Sequence, residues 1–256
     1  MEFSKNFFAV LLIGGMGSRF SKINESPKQL IKLNKRSLLE NLIISFVKNG
    51  INNFVLPLGY KENFFKKFFK KKKKIYNKQT KIFIVKNKLN ENFFDKKYIN
   101  IVLFDAGKKT SKLSRINKSI KFFNSQNFLV SYGDGIADIK LKRYIKIYKQ
   151  YKKAIIAGKY INSQYGHLRI VNKKLHEFKE KPIMKEPINI GYYFFSKKLF
   201  KKYYNNKYEL EKKFIQKLIE NNEIVTYIHK GFFFNIDSKI DLVRIKKKYK
   251  NILFKL

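Results

Sequence analysis

The chain has no cysteine, which excludes a disulfide framework and any thiolate metal site. No signal-peptide pattern opens it, so a reducing, cytoplasmic setting is expected. No apolar run approaches the roughly 20 residues a helix needs to cross a bilayer, and no membrane span is expected. Acidic residues are scarce: Asp and Glu total 18 against 58 Lys and Arg, for a formal net charge of +40. Such an excess ordinarily implies a polyanionic partner, nucleic acid first among them. The lysines, however, spread over nearly every segment instead of marking one face or tail, and they accompany abundant Asn, Ile, Phe and Tyr. That is the pattern AT-rich codons produce, so nucleic acid is not the expected partner.

What is present suffices for a core. Hydrophobic residues make up 44% of 256 residues, with 26 Phe and 16 Tyr among them, and no break in composition argues for more than one domain over 1–256. The densest basic run, "KKFFKKKKK" from Lys66 to Lys74, has phenylalanines at 64, 65, 68 and 69. That helical spacing predicts an amphipathic helix with a solvated basic face; contact with a phosphate backbone or anionic lipid is the alternative.

Strand-length apolar runs alternate with segments of helical period, the pattern of an α/β protein with a largely parallel sheet. Phe7 to Ile13 reads as a buried first strand. "RSLLENLIISFVKNG" reads as a helix with Leu38, Leu39, Leu42, Ile43, Phe46 and Val47 inward and Gly50 as its stop. "NNFVLPLGY", "KIFIVKN" and "INIVLFDAG" read as strands, "KLSRINKSIKFF" as a helix, and "QNFLVSYGDG" as a strand ending in a turn at Asp134. A basic helix from about 140 to 152 follows, then the strand "KAIIAGKYI", a hairpin from Gly166 to Lys181, and the strand "NIGYYFF". "ELEKKFIQKLIENN" reads as a helix, and the end as strands closing on Asp237 before a last helix. In open α/β sheets ligands sit outside the carboxyl ends of the strands, so residues just after strands carry the chemical reading.

Gly14, Gly15 and Gly17 directly follow the first strand, where backbone amides without side chains can approach a phosphate. The spacing is neither the dinucleotide fingerprint nor the P-loop, and a tight turn is the competing reading. Arg19 and Lys28, the latter just after Pro27, add two cations able to neutralise a polyphosphate and the charge building on a leaving pyrophosphate. Asp134 lies between two glycines at a strand end, where a carboxylate can hold a divalent cation, and Asp237 in "GFFFNIDS" offers a second acid. The competing role for Asp237 is a helix cap with Ser238; for Asp138 the cap of the helix beginning near Ile139 is favoured.

Taken in order, "GGMGSR" with "SPKQLIKL", "YGDGIADI", "QYGHLRI", "FKEKP", "INIGYYFF" and "GFFFNIDSKIDL" resemble the motifs of the sugar-phosphate nucleotidyltransferases, and of their glucose-1-phosphate cytidylyltransferase branch most closely. The resemblance covers nearly the full length. It implies a Rossmann-like nucleotidyltransferase fold, with a mixed, mostly parallel central sheet flanked by helices. It also implies transfer of a cytidylyl group from CTP to a sugar-1-phosphate, giving CDP-sugar and pyrophosphate, with polysaccharide biosynthesis as the setting and a homo-oligomer as the assembly. Carried over residue by residue, it places Gly14, Gly15 and Gly17 at the nucleotide, Arg19 and Lys28 on its phosphates, and Mg²⁺ at Asp134 and Asp237. Glu180 and Lys181 would bind the sugar hydroxyls and sugar phosphate, and Gly166 and Gly191 would leave room for the sugar. The chemistry needs no strong base, because a phosphate monoester is already an anionic nucleophile; the three histidines therefore suffice.

The chain departs from the pattern at Ile13, where alanine is usual, at Ser18 for threonine, and in the Asn-Ile-Asp ending. In "DAGKKTSKLSRI" the branch has Thr-Gly-Gly-Arg-Leu-Lys-Arg; Lys112 and Arg115 align with its two arginines and would bind the nucleotide, while Thr110 and Ser111 stand at the glycines. The same fold acting with another nucleotide or phosphorylated acceptor is the sibling reading.

Overall fold

The computed structural model describes residues 7–15, 26–33, 35–72, 74–75, 78–85, 98–236 and 239–248. The first half contains β1 (Phe8–Leu12), the short pair β2 (Lys32–Leu33) and β3 (Arg36–Ser37), α1 (Leu38–Val47), β4 (Asn53–Leu58) and α2 (Glu62–Lys70). Then come β5 (Lys74–Ile75), β6 (Lys78–Val85), β7 (Ile99–Asp105), α3 (Lys112–Ser119) and β8 (Asn127–Tyr132). The second half contains β9 (Gly135–Ala137), α4 (Leu141–Tyr151), β10 (Ala154–Lys159), β11 (His167–Val171), β12 (Lys174–Lys179) and β13 (Ile188–Ser196). It closes with α5 (Lys197–Tyr203), α6 (Ile215–Glu220), β14 (Ile224–Ile228), β15 (Phe233–Asn235) and α7 (Lys239–Lys248).

Nine strands form one sheet in the order β14-β10-β13-β8-β1-β4-β7-β6-β5. β1 lies parallel to both β8 and β4, β7 parallel to β4 and β6, and β14 parallel to β10, while β13 and β5 run antiparallel to their neighbours. The expected mixed, mostly parallel sheet is therefore present. Its apolar runs are continuous because both faces are covered. Phe8 and Val10 join Val55, Val102 and Val130 in a core shared with α3, α5 and α6. Ala9 and Leu11, pointing the other way, join Phe54, Leu56, Ile101 and Leu129 in a core shared with α1, α2 and α4.

Aromatics do much of the filling. Phe8, Phe128, Phe195 and Phe200 form a chain of ring contacts 5.5, 5.7 and 5.7 Å apart, each ring wholly buried. Burial of such a side chain contributes about 1.5–3 kcal/mol.

α1 begins with a capping box: Ser37 Oγ accepts from Glu40 N at 3.1 Å, and Glu40 Oε2 accepts from Ser37 N at 2.8 Å. It ends before Gly50, whose φ of +85° suits a residue without Cβ. α2 buries Phe65 and Phe69, as its spacing predicts, but stops at Lys70, so the basic run continues past the helix. Where one helix was expected over "ELEKKFIQKLIENN", a π-helical turn at Leu210–Phe214 precedes α6. Asp138 does not cap α4: Lys140 holds that position without a side-chain bond, and the Asp138 carboxylate lies 3.0 Å from Nε2 of buried His229. No helix among the described residues is long and apolar enough to cross a membrane.

Candidate active site

Four strands adjacent in the sheet, β8, β1, β4 and β7, end on one side at a cavity of about 320 Å³. Chain order reverses between β1 and β8, so the cavity lies at the switch point where open α/β sheets bind ligands. Gly14 and Gly15 reach it from β1, Tyr60 and Lys61 from the end of β4, Lys108 to Thr110 from the loop after β7, and Tyr132 and Asp134 from β8. Lys28, Lys61, Lys108, Lys109 and Lys112 bring cations to its lining, with Arg115 also at its wall, and Asp134 is the only carboxylate among the described lining residues. Such a lining favours a polyanion.

Lys28 enters on the 3₁₀ turn after Pro27. Its ammonium lies 2.9 Å from Asp134 Oδ2 and donates to the carbonyl of Ile236 at 3.1 Å. The strand pair β9–β15 sets Gly135 opposite Asn235, and Ile236 N donates to the Asp134 carbonyl at 3.1 Å. The chain therefore arrives beside Asp134 one residue before Asp237. Mg²⁺ is held by one or two carboxylates with phosphate oxygens, and a carboxylate on the wall of a cationic cavity fits that donor set. Among the described residues no group of three or more such ligands occurs. Gly17, Arg19 and Asp237 lie outside the described residues.

Lys112 opens α3, whose N-cap is Ser111: its hydroxyl accepts from Ser114 N at 3.2 Å. A serine at this position in place of glycine thus starts a helix. Lys112 Nζ pairs with Glu211 on the π-helical turn and lies 4.5 Å from the centre of the Tyr132 ring. Tyr132 also donates to Glu211, and its hydroxyl is 2.8 Å from that of Tyr193, to which Asn189 Nδ2 donates at 2.6 Å. Burial and the neighbouring tyrosine and carboxylate hold the Tyr132 hydroxyl far above its ordinary range; burial pushes Tyr193 up to about 12. Both therefore stay neutral. Burial raises the Glu211 carboxyl, but the Lys112 and Tyr132 bonds outweigh it and leave the group below its ordinary value. Glu211, Tyr193 and Asn189 were not singled out in the sequence. Asn189 and Tyr193 lie inside the "INIGYYFF" motif, and Glu211 is reached through its bond from Tyr132 of "YGDGIADI".

Arg115, on the first turn of α3, is only 4% exposed, and every bond it donates goes to a main-chain carbonyl: Thr110, Leu58, Pro57, Gly107 and Lys108. Burial lowers its pKa and the Asp105 charge opposes that shift. A Cβ on Gly14 would lie 2.0 Å from its Nη1, whereas at Gly15 a Cβ would meet nothing within 4 Å among the described residues.

The remaining expected residues separate into two groups. Gly191 adjoins the cavity through Tyr132: its φ is +76°, and a Cβ there would lie 2.5 Å from the tyrosine ring, which fills the space. Gly166, Glu180 and Lys181 are outside the cavity lining, at the base of the β11–β12 hairpin, whose strand residues are all exposed. There Glu180 and Lys181 pair with each other at 3.2 Å, with side chains 58% and 60% exposed. The structure thus brings Gly14, Gly15, Lys28, Lys112, Arg115 and Asp134 together and leaves the hairpin residues apart.

The chain is 29% identical over 253 residues to a probable glucose-1-phosphate cytidylyltransferase of Bacillus subtilis (strain 168), covering 94% of this chain and 95% of that one. It is 21% identical over 253 residues to the D-glycero-alpha-D-manno-heptose 1-phosphate guanylyltransferase of Aneurinibacillus thermoaerophilus, covering 96% and 99%. The crystal structure of HddC from Yersinia pseudotuberculosis shares the fold, with a TM-score of 0.68 at 20% identity over 94% of this chain and 99% of that one. Residues 8–237 match the family Nucleotidyl transferase, a span that takes in every strand of the sheet and the cavity at its centre. This chain belongs to the nucleotidyl transferase family.

Proposed function

We propose that this nucleotidyltransferase moves a cytidylyl group from CTP to a sugar-1-phosphate, with glucose-1-phosphate as first candidate, releasing pyrophosphate. The observation that carries the reading is the cationic cavity at the β1/β8 switch point, with Lys28 and Asp134 in contact on its wall. The likeness to the Bacillus subtilis protein along 94% of the chain supports the choice of base and acceptor.

In this reading the triphosphate lies against Gly15 and the lysines, and an oxygen of the sugar phosphate attacks the α-phosphorus in line with the departing pyrophosphate. Lys28 holds its positive charge against the phosphates, and the cavity orients the reactants; positioning and charge neutralisation supply the rate. Mg²⁺ held by Asp134, with Asp237, would supply further neutralisation of phosphate charge. Lys112, steered by Glu211 and the Tyr132 ring, presents a second ammonium to the same space. Lys181, with Glu180, would reach the acceptor from the hairpin.

A second reading, guanylyl transfer to a heptose-1-phosphate, is favoured by the Aneurinibacillus relative and by the Thr110–Ser111 departure in the cavity wall. Pyrophosphate release from each of the four NTPs and dTTP, with glucose-1-phosphate, with a heptose-1-phosphate and with neither, decides between them. Release with CTP that depends on the sugar phosphate is expected; release with GTP and a heptose phosphate instead would sink the cytidylyl assignment.

A further inference from the structure

Arg115 is the only lysine or arginine buried among the described residues of a chain that carries 58 of them. A buried charge persists only where its donors are satisfied. Here Nε donates to Thr110 O at 2.9 Å, Nη1 to Leu58 O at 2.9 Å and more weakly to Pro57 O at 3.4 Å. Nη2 donates to Gly107 O at 2.8 Å and Lys108 O at 3.3 Å. The acceptors belong to two segments, the last two residues of β4 and the loop between β7 and α3; the strands themselves pair as far as Leu58 and Asp105, with Ala106 N donating to Leu58 O at 3.0 Å, and Arg115 extends that link into the loop beyond. Both segments run directly into cavity-lining residues, Tyr60 and Lys61 on one side and Lys108 to Thr110 on the other.

Two glycines make room for the guanidinium. A Cβ on Gly14 would lie 2.0 Å from Nη1, and one on Gly59 would lie 2.5 Å from Nη2. Gly14, the first glycine of the loop after β1, is thus needed for the arginine behind it as well as for any ligand in front.

We propose that Arg115 is a positioning residue that sets the nucleotide-facing wall of the cavity and touches no part of the nucleotide itself. A planar fork with five N–H groups reaches carbonyls in several directions at once, which an ammonium on a flexible stem does not do in the same plane. With the fork in place the loop carbonyls point inward to it, and the loop keeps one shape even though Thr110 and Ser111 stand at the positions of the branch's glycines. Without it the carbonyls of Gly107, Lys108 and Thr110 must find water, and the wall turns with them. The inference depends on the nucleotidyltransferase reading of the cavity.

The test uses the full chain with Arg115→Met, Arg115→Lys and Gly59→Ala, each checked for folding by its thermal midpoint. KM and kcat are then read for each nucleotide at saturating sugar phosphate. For Arg115→Met a rise in nucleotide KM of about tenfold or more is expected, since misplacement by ~1 Å can cost up to 10²-fold. Discrimination between nucleotides should fall, while kcat at saturation stays within a few-fold. Arg115→Lys should fail to restore the wild-type values, and added guanidinium ion should restore part of the KM of Arg115→Met. Should Arg115→Met not fold, Gly59→Ala, which keeps the arginine but sets a Cβ 2.5 and 2.7 Å from its two terminal nitrogens and 2.9 Å from the Gly14 carbonyl, is expected to show the same KM and discrimination pattern. Wild-type KM and discrimination in a folded Arg115→Met, or in Gly59→Ala where that is the variant read, overturns the proposal. A collapse of kcat with discrimination intact also overturns it, pointing to direct contact with the reacting phosphates. Wild-type protein inactive with every nucleotide would instead sink the underlying reading.

Discussion

The ammonium of Lys28 and the carboxylate of Asp134 lie 2.9 Å apart on the wall of the cavity, with side chains 11% and 30% exposed. One was expected on phosphates and the other on a divalent cation, and the structure sets them in contact. Each group therefore neutralises the other; in the proposed reaction a ligand carrying both phosphate and metal would exchange partners with them. Asp134→Asn and Lys28→Met should each lower kcat by about 10²–10³-fold, the scale of losing one preorganised electrostatic contact. The thermal midpoint should stay near wild type in Asp134→Asn, whose side chain is 30% exposed, and fall in Lys28→Met, whose ammonium is mostly buried and also holds the Ile236 carbonyl. Chelation with EDTA should silence the wild type and Mg²⁺ restore it. Wild-type turnover in Asp134→Asn would show that the metal assignment is wrong.

Lys181 offers a sharper test of the residues carried over by resemblance, because it stands 60% exposed at the hairpin base, outside the cavity lining. In the proposed reaction Lys181→Ala should raise KM for the sugar phosphate by about tenfold, the scale of a lost charge-assisted hydrogen bond. KM for the nucleotide should be unchanged. Equal kinetics with both substrates would remove Lys181 and its neighbour Glu180 from the acceptor site.

Gly191 holds a φ of +76° under the Tyr132 ring. Gly191→Ala should destabilise the fold by about 1–3 kcal/mol, from a left-handed backbone conformation unfavourable to alanine together with a collision with the ring. Moving Tyr132 should also loosen the bonds that join it to Glu211 and Tyr193. Urea denaturation measures the first effect; an unchanged midpoint would show that the ring gives way freely.

Glu40 links a helix cap to acid stability. Burial raises its carboxyl, but the hydrogen bonds from Lys72 and Ser37 outweigh burial and bring the pKa below the ordinary value of 4.5. Folding therefore favours the ionised form. This stabilisation is complete above the unfolded value of 4.5 and is lost as pH falls through the lower folded value. Thermal midpoints should drop with acid below about pH 4.5 in the wild type and less steeply in Glu40→Gln. At neutral pH, Ser37→Ala should cost about 1 kcal/mol in a denaturant titration, the usual worth of an N-cap.

Much of the architecture was legible in the residues themselves. Continuous apolar runs such as Phe8–Leu12 declare strands covered on both faces, and the Ser37–Glu40 spacing declares a helix start. The strand-then-glycine order at Gly14 and the turn at Asp134 pointed to the end of the sheet where the cavity lies, because strand ends are local features. Reading Asp138 as a cap failed because a carboxylate three residues before a helix has no local signature that tells a cap from a partner for His229, which is 91 positions away in the chain. The π-helical turn at Leu210–Phe214 likewise carries no local spacing of its own.

Composition, periodicity and motif order determined the class of fold, the end of the sheet where the cavity opens, and the family resemblance, since each is written in neighbouring residues. Tertiary structure alone decided what those residues touch. It paired Lys28 with Asp134, turned Arg115 from an expected nucleotide contact into a bridge between carbonyls, filled the space over Gly191 with Tyr132, and left Glu180 and Lys181 on an exposed hairpin. The reason is physical: a side chain's charge and length are properties of its own position, whereas its partners are whatever the crossing of distant strands brings within about 3 Å, the reach of a hydrogen bond.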